Sequence, residues 1–198
     1  MDDEPEKISF KTFIWETAKT VFYVGLLAVL IRAYLIQPFI VSGQSMEPNF
    51  HNNDYLLIDK LTFRVREPKR GEIVVFRYPK NPRENYIKRI IGLPGETVII
   101  DDSDNSITIT NADHPNGMKL TEDYLSGDEV TKALNQQGRL SLTLQSDEYF
   151  VLGDNRDSSQ DSRYFGKLNR SYFVGRSLIR LLPLSQIRVY AAPASLSQ

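Results

Sequence analysis

A run of apolar residues at 20–41, TVFYVGLLAVLIRAYLIQPFIV, restricts this chain more than any other feature. No charge occurs from Thr20 to Ile31, and after Arg32 none occurs until Glu47. A helix that crosses a bilayer needs about 20 mainly apolar residues. The run reaches that length with Arg32 included, and a long arginine near one end of a span can snorkel to the headgroups. The sequence predicts one transmembrane helix over residues 18–37, after a short segment over 1–17. Three other readings fit less well. A cleavable signal peptide opens with a basic region, whereas this chain opens MDDEPE and would have to be cut at Val41-Ser42-Gly43. A buried core helix would need more chain to cover its apolar circumference. A helix lying in the interface would need a strongly polar face. Lys7, Lys11 and Lys19 precede the segment, and no lysine follows until Lys60. Basic residues stay inside, so the amino terminus is expected in the cytoplasm and residues 38–198 on the extracytoplasmic side.

Composition then removes whole classes of function. The net charge of -1 argues against a nucleic-acid partner, which would call for a basic surface. The absence of cysteine excludes disulfides, thiolate catalysis and Cys-based zinc sites. The two histidines, His51 and His114, do not form the H-E-x-x-H pattern of a zinc helix, and no metal or other cofactor is expected. His51 lies close to Ser45 and Asp54, but the members of a triad usually come from distant parts of a chain.

Beyond the apolar run, the pattern turns to short β-branched or aromatic stretches. They are Tyr55–Ile58, Ile73–Phe76, Tyr86–Ile91, Thr97–Ile100, Ile107–Ile109 and Tyr149–Leu152, with turn residues between them. Leu93-Pro94-Gly95-Glu96 fits a type II turn. Residues 101–145 are polar and read as a variable insertion between core strands, with a short helix expected around Glu129–Gln136. The fold class expected is mainly β: a strongly coiled antiparallel sheet domain behind one amino-terminal helix.

Four segments carry candidate chemistry. Val41-Ser42-Gly43-Gln44-Ser45-Met46-Glu47-Pro48 puts a serine on a turn constrained by glycine and proline. Arg70–Phe76 reads only as a turn entering a buried strand. Tyr86–Glu96 embeds Lys88 in an apolar run. An inward Lys88 would be desolvated and could serve as a base, whereas an outward one would simply face solvent from an edge strand. Gly153–Gly166, GDNRDSSQDSRYFG, is dense in opposite charges. Asp154, Asp157 and Asp161 are oxygen donors, but their spacing is not that of a calcium loop, and Arg156 and Arg163 would repel a cation.

Taken together and in this order behind an apolar segment, the four segments resemble the type I signal peptidases, the enzymes that remove signal peptides from exported proteins. The resemblance implies that Ser45, in S-M-x-P, is the nucleophile and that Lys88, in Y-I-K-R, is its general base. It implies that Ser159 hydrogen-bonds and orients the lysine. It places Arg89, Asp154, Asp161 and Arg163 in structural ion pairs behind the site. Met46, Tyr86 and Ile87 would line shallow pockets for small substrate side chains, with Phe39 and Val41 extending the wall. Some relatives carry a serine hydroxyl at the position of Gly43 that helps hold the oxyanion. Here that task would fall to backbone N–H groups, chiefly that of Ser45. The family also favours threonine where this chain has Asn49.

The partners implied are preproteins with signal peptides and a lipid bilayer, with a functional link to the export machinery. The location implied is a cell membrane or a thylakoid-type membrane. Two other Ser/Lys enzymes fit poorly. A self-cleaving repressor would need a DNA-binding domain where this chain is apolar. A penicillin-binding enzyme would need S-x-x-K, and no serine here has lysine at i+3.

Overall fold

In the computed structural model, which describes residues 9–125, 129–190 and 196, the apolar run from Thr20 to Tyr34 lies in helix α1, Phe10–Tyr34, and its remainder leaves the helix. Lys7 lies outside the described residues. The helix has 25 residues, about 37 Å at the usual rise, which exceeds a hydrocarbon core of about 30 Å. None of its residues is buried, and its mean hydropathy over the most apolar window is 1.6. It is long and apolar enough to cross a membrane. It starts earlier than residue 18 because Phe10–Thr17 continues the helix despite Lys11 and Glu16. It also stops short of residue 37, and the cause is Pro38. A residue before proline avoids the helical region, and proline itself lacks the N–H that a helix would use. Ile36–Ile40 therefore forms strand β1, paired antiparallel with β2, Tyr55–Asp59. This is an edge strand, where a proline is tolerated.

The chain continues through α2 (Thr62–Val65), β3 (Ile73–Tyr78), β4 (Asn81–Gly92), β5 (Thr97–Asp101), β6 (Ser106–Thr110), β7 (Met118–Lys119) and β8 (Arg139–Thr143). There follow β9 (Glu148–Leu152), α3 (Ser162–Phe165), β10 (Leu168–Asn169), β11 (Phe173–Leu182) and β12 (Arg188–Val189). Two antiparallel sheets result. The larger has the order β1-β2-β11-β3-β4-β9-β10, with β12 on β11; the smaller has the order β7-β6-β5-β8. The protein is mainly antiparallel β behind one apolar helix.

Strand alternation splits the core of the large sheet. Ile73 and Val75 pack with Val41, Met46, Phe50 and Ile87, while Val74 and Phe76 pack with Ile90, Tyr149 and Val151. A third cluster joins the sheets, with Val98, Ile100, Ile107 and Ile109 against Ile91, Phe150 and Leu152. The polar stretch after residue 101 thus supplies three strands to a sheet that begins at β5. The helix expected around Glu129–Gln136 is not formed. Residues 129–134 are irregular, and they bury Thr131 and Ala133 against the rest of the protein.

Strand β11 has no counterpart among the apolar runs of the sequence, because Arg176 and Arg180 interrupt it. Both arginines find carboxylates across the sheet. Arg176 pairs with Asp59 at 3.2 Å, and Arg180 Nη1 meets Asp54 Oδ2 at 2.8 Å. The second pair is buried, with side-chain exposures of 8% and 4%. Removing one member of such a pair strands a charge in the interior. We expect Arg180→Ala to lower the unfolding free energy by about 3–5 kcal/mol. The apolar double replacement Arg180→Met/Asp54→Leu should recover most of that loss. Urea unfolding of the detergent-solubilised protein measures both.

Candidate active site

Ser45 sits on a loop that the core holds from both sides. Val41 and Met46 are buried, with exposures of 2% and 1%, and Phe50 is fully buried. The loop is tied to itself by Val41 N–H to Asp54 O (3.0 Å), Asn53 N–H to Val41 O (2.9 Å) and Phe50 N–H to Met46 O (2.8 Å). Gly43 adopts φ +97°, a conformation L side chains rarely take, and its N–H donates to Asn52 Oδ1 at 2.9 Å. Ser45 itself is half-buried. Among the described residues, nothing accepts a hydrogen bond from its backbone N–H.

Lys88 reaches Ser45 from the middle of β4. It points inward and is only 3% exposed, and its Nζ lies 2.6 Å from Ser45 Oγ and 2.9 Å from Ile87 O. Burial pushes the amine down from 10.5 to about 8. Asp161 and Asp154 pull the other way, and Arg163 adds to the depression. Arg89, the neighbour in sequence, faces away along the strand and spends its charge on Asp154.

The segment after β9 closes the back of the site. Ser45 O accepts from Asn155 N–H at 3.1 Å. Ser159 is buried, and its Oγ has no hydrogen-bond partner. The bond expected from Ser159 to Lys88 is therefore not made in this conformation, in which Nζ is engaged by Ser45 and the Ile87 carbonyl. Gly153 occupies the space between them: a Cβ there would overlap both Ser159 Oγ and the Ser45 carbonyl.

Buried charge pairs fix this arrangement. Arg89 grips Asp154 with two bonds, Nε to Oδ1 at 2.8 Å and Nη2 to Oδ2 at 2.6 Å. Arg163 grips Asp161 similarly at 2.9 and 2.8 Å, and Asp161 also accepts from Gly153 N–H at 3.1 Å. Asp154 and Asp161 are thus committed to arginines, and no group of three or more potential ligands gathers for a metal among the described residues. His51 is exposed, and Asp54 faces Arg180 and the His51 backbone, so these residues do not line up behind Ser45.

Sequence reasoning missed several members of this support. Arg156 is 1% exposed, pairs with Glu122 at 2.5 Å and donates to Gly153 O at 2.9 Å. Asn49 Nδ2 lies 2.9 Å from both Asp154 Oδ2 and Tyr124 O. The Arg89 guanidinium stacks 3.9 Å from the Tyr124 ring. Glu122 and Tyr124 belong to the polar stretch 101–145, where nothing local marks them as neighbours of Ser45.

In front of Ser45 and Lys88 opens a cleft of about 520 Å³, walled by Phe39, Gln44, Tyr86, Ile87 and Gln160. Tyr86 Oη donates to Gln160 Oε1 across it at 3.1 Å. Val41 and Met46, expected along this wall, instead lie in the core beneath it, where they pack with Phe50, Leu56 and Ile58.

Comparison with known proteins matches residues 14–182 to the family described as signal peptidase, peptidase S26. A signal peptidase I of Bacillus amyloliquefaciens is 36% identical over 95% of this chain and 98% of its own length. A probable signal peptidase I-2 of Synechocystis is 36% identical over 87% of this chain and 75% of its own length. A solved signal peptidase I structure from Enterococcus faecalis V583 is 35% identical, covering 56% of this chain and 97% of that one, with a TM-score of 0.44.

The crowding at Gly153 gives a direct test of the geometry. Gly153→Ala should cost about 1–3 kcal/mol, the usual penalty of overpacking. Ser159→Ala removes an unpaired hydroxyl and should change stability by less than about 0.5 kcal/mol. Thermal unfolding of the two variants side by side checks the contrast, and equal losses would count against the packing described.

Proposed function

The chain belongs to the signal peptidase family, peptidase S26, and on that premise we propose that it is a membrane-anchored serine endopeptidase with Ser45 as nucleophile and Lys88 as general base. The observation that carries the proposal is the 2.6 Å contact between Ser45 Oγ and a lysine amine pushed down to about 8 by burial. A serine hydroxyl is a weak nucleophile until a base within hydrogen-bond reach takes its proton, and an ordinary lysine is protonated at neutral pH. Desolvation raises the share of neutral amine available at neutral pH.

In this mechanism neutral Lys88 takes the Ser45 proton while Oγ attacks the scissile carbonyl carbon. The negative oxygen that forms is met by the Ser45 N–H, which no other group occupies among the described residues. Protonated Lys88 then delivers its proton to the leaving amine, and the substrate's acyl part remains as an ester on Ser45. A water gives a proton to Lys88 as it attacks the ester carbonyl, and Lys88 returns that proton to Ser45 Oγ as the C–O bond breaks and the acid product leaves, which resets the site. The role read for Ser159 is to hold the ammonium when the Ser45 oxygen is engaged with substrate. Its unpaired hydroxyl suits that role. Arg89–Asp154 and Arg163–Asp161 keep the segment carrying Ser159 in place.

Substrates in this reading are preproteins cut after small residues in an A-x-A-like pattern. Phe39, Tyr86 and Ile87 wall the cleft, and Val41 and Met46 fill the space beneath it, which favours small side chains there. The helix α1 anchors the enzyme, with its amino terminus in the cytoplasm and the catalytic domain beyond the membrane, close to the preproteins that the export machinery delivers.

Ser45→Ala and Lys88→Ala should each lower preprotein cleavage by at least about 1,000-fold, with the double variant no worse than either, because the pair acts as a unit. Lys88→Arg should fail equally, since a guanidinium keeps its proton. Cleavage of a purified preprotein, with its new amino terminus sequenced, tests all four variants. Substantial turnover in any of them would overturn the dyad.

The pH profile follows from the depressed amine. The active form is deprotonated, so kcat/KM should be low in acid, rise through a midpoint near 8 and level off above it. A midpoint near 10, the value of a solvated lysine, would remove Lys88 as the base.

A further inference from the structure

A second cavity, of about 390 Å³, opens on the large sheet beside the end of α1. Lys60, Arg64, Arg77 and Arg170 line it together with Gln37 and Asn85, and no carboxylate is part of its wall. Arg170 is paired with Glu67, which lies outside the wall, and Asp59 nearby is held by Arg176. Lys60, Arg64 and Arg77 have no acidic partner among the described residues. Three unpaired cations around one hollow repel one another unless an anion joins them.

Its position points to the anion. Lys60 Nζ donates to Ala33 O at 2.8 Å, and Lys60 N–H donates to Leu35 O at 2.9 Å. The Arg64 guanidinium lies 5.8 Å from the Tyr34 ring. Two residues of the cavity wall, Lys60 and Arg64, thus also touch the last turn of the apolar helix and the residue that follows it. In a spanning helix that turn lies at the level where hydrocarbon gives way to lipid phosphates. Arg32, in the same turn, adds charge at that level. Arginine forks match phosphate oxygens, and each basic side chain near an anionic bilayer contributes attraction.

We propose that this cavity binds the phosphate of an anionic phospholipid headgroup, drawn from the membrane that holds α1. The proposal rests on the anchored reading given above. Asn85 borders both this cavity and the active-site cleft, so the lipid would sit next to the bound preprotein.

The test uses the full chain in nanodiscs of phosphatidylcholine with or without phosphatidylglycerol, followed by native mass spectrometry of the retained lipids. Wild-type protein should retain phosphatidylglycerol over phosphatidylcholine. The variant Arg64→Ala/Arg77→Ala should lose about ten-fold or more of that preference. Both residues are exposed, so the fold should survive, and Lys119→Ala on the smaller sheet should keep the preference. Equal retention of the two lipids by wild type, or an undiminished preference in the double variant, would overturn the proposal. So would two other results. Inorganic phosphate raising the melting temperature in detergent as much as phosphatidylglycerol does would make the cavity a free-phosphate site. Slower cleavage of preproteins with acidic mature ends, at unchanged lipid retention, would assign it to substrate. Protein that inserts and cleaves but shows no lipid preference loses this proposal alone, whereas protein that fails to insert loses the anchored reading as well.

Discussion

A guanidinium and a carboxylate, nearly sealed from solvent, hold the two halves of the site in register. Arg89 follows Lys88 on β4, and Asp154 opens the segment that carries Asn155, Ser159 and Asp161; side-chain exposures of 4% and 0% put the pair deep in the interior. Charges taken so far from water persist only when geometry and further hydrogen bonds compensate. Here two parallel bonds join the pair, Gly71 O takes a third donor of Arg89, the Asn49 amide meets Asp154, and the Tyr124 ring covers the guanidinium. Strand alternation does the rest. With Arg89 committed to one face of β4, Lys88 must emerge on the other. The inward lysine is thus a geometric consequence of an ion pair one residue away.

That burial makes an amine useful and also makes it expensive to keep. A shift from 10.5 to about 8 corresponds to about 3 kcal/mol against the charged form. The surroundings resist the shift, since Asp161 and Asp154 favour the ammonium. Arg163, which pairs with Asp161, offsets part of that pull and adds to the depression.

The sequence disclosed what local chemistry can disclose. Unbroken apolar runs such as Ile73–Phe76 and Tyr149–Leu152 mark strands because both faces of the central sheet are buried, and the apolar run over Thr20–Tyr34 marks a helix by length alone. Proximity was visible only through resemblance. Nothing in Tyr86–Glu96 says which face Lys88 takes. Strand β11 stayed hidden because Arg176 and Arg180 look like solvent-facing residues until Asp59 and Asp54 appear opposite them. Glu122 and Tyr124 stayed hidden for a similar reason, as polar residues in a polar stretch whose partners, Arg156 and Arg89, are remote in sequence. Val41 and Met46 lie close to Ser45 in sequence, and such a position does not reveal whether a side chain forms the wall of a cleft or the floor beneath it.

One junction carries a consequence for selection. Leu35 alone separates α1 from β1, and Ser45 lies only a short loop beyond that strand. Hydrogen bonds from Lys60 to Ala33 O and Leu35 O brace the joint. A tether with so little slack works as a gauge of height. In the anchored reading proposed above it would hold the cleft at a set elevation over the bilayer, and a peptide bond would then be chosen by how many residues of extended chain separate it from the membrane as well as by the side chains beside it. At about 3.3 Å per extended residue, two identical small-residue sites a few positions apart would stand at measurably different altitudes. Only one of them would be level with Ser45.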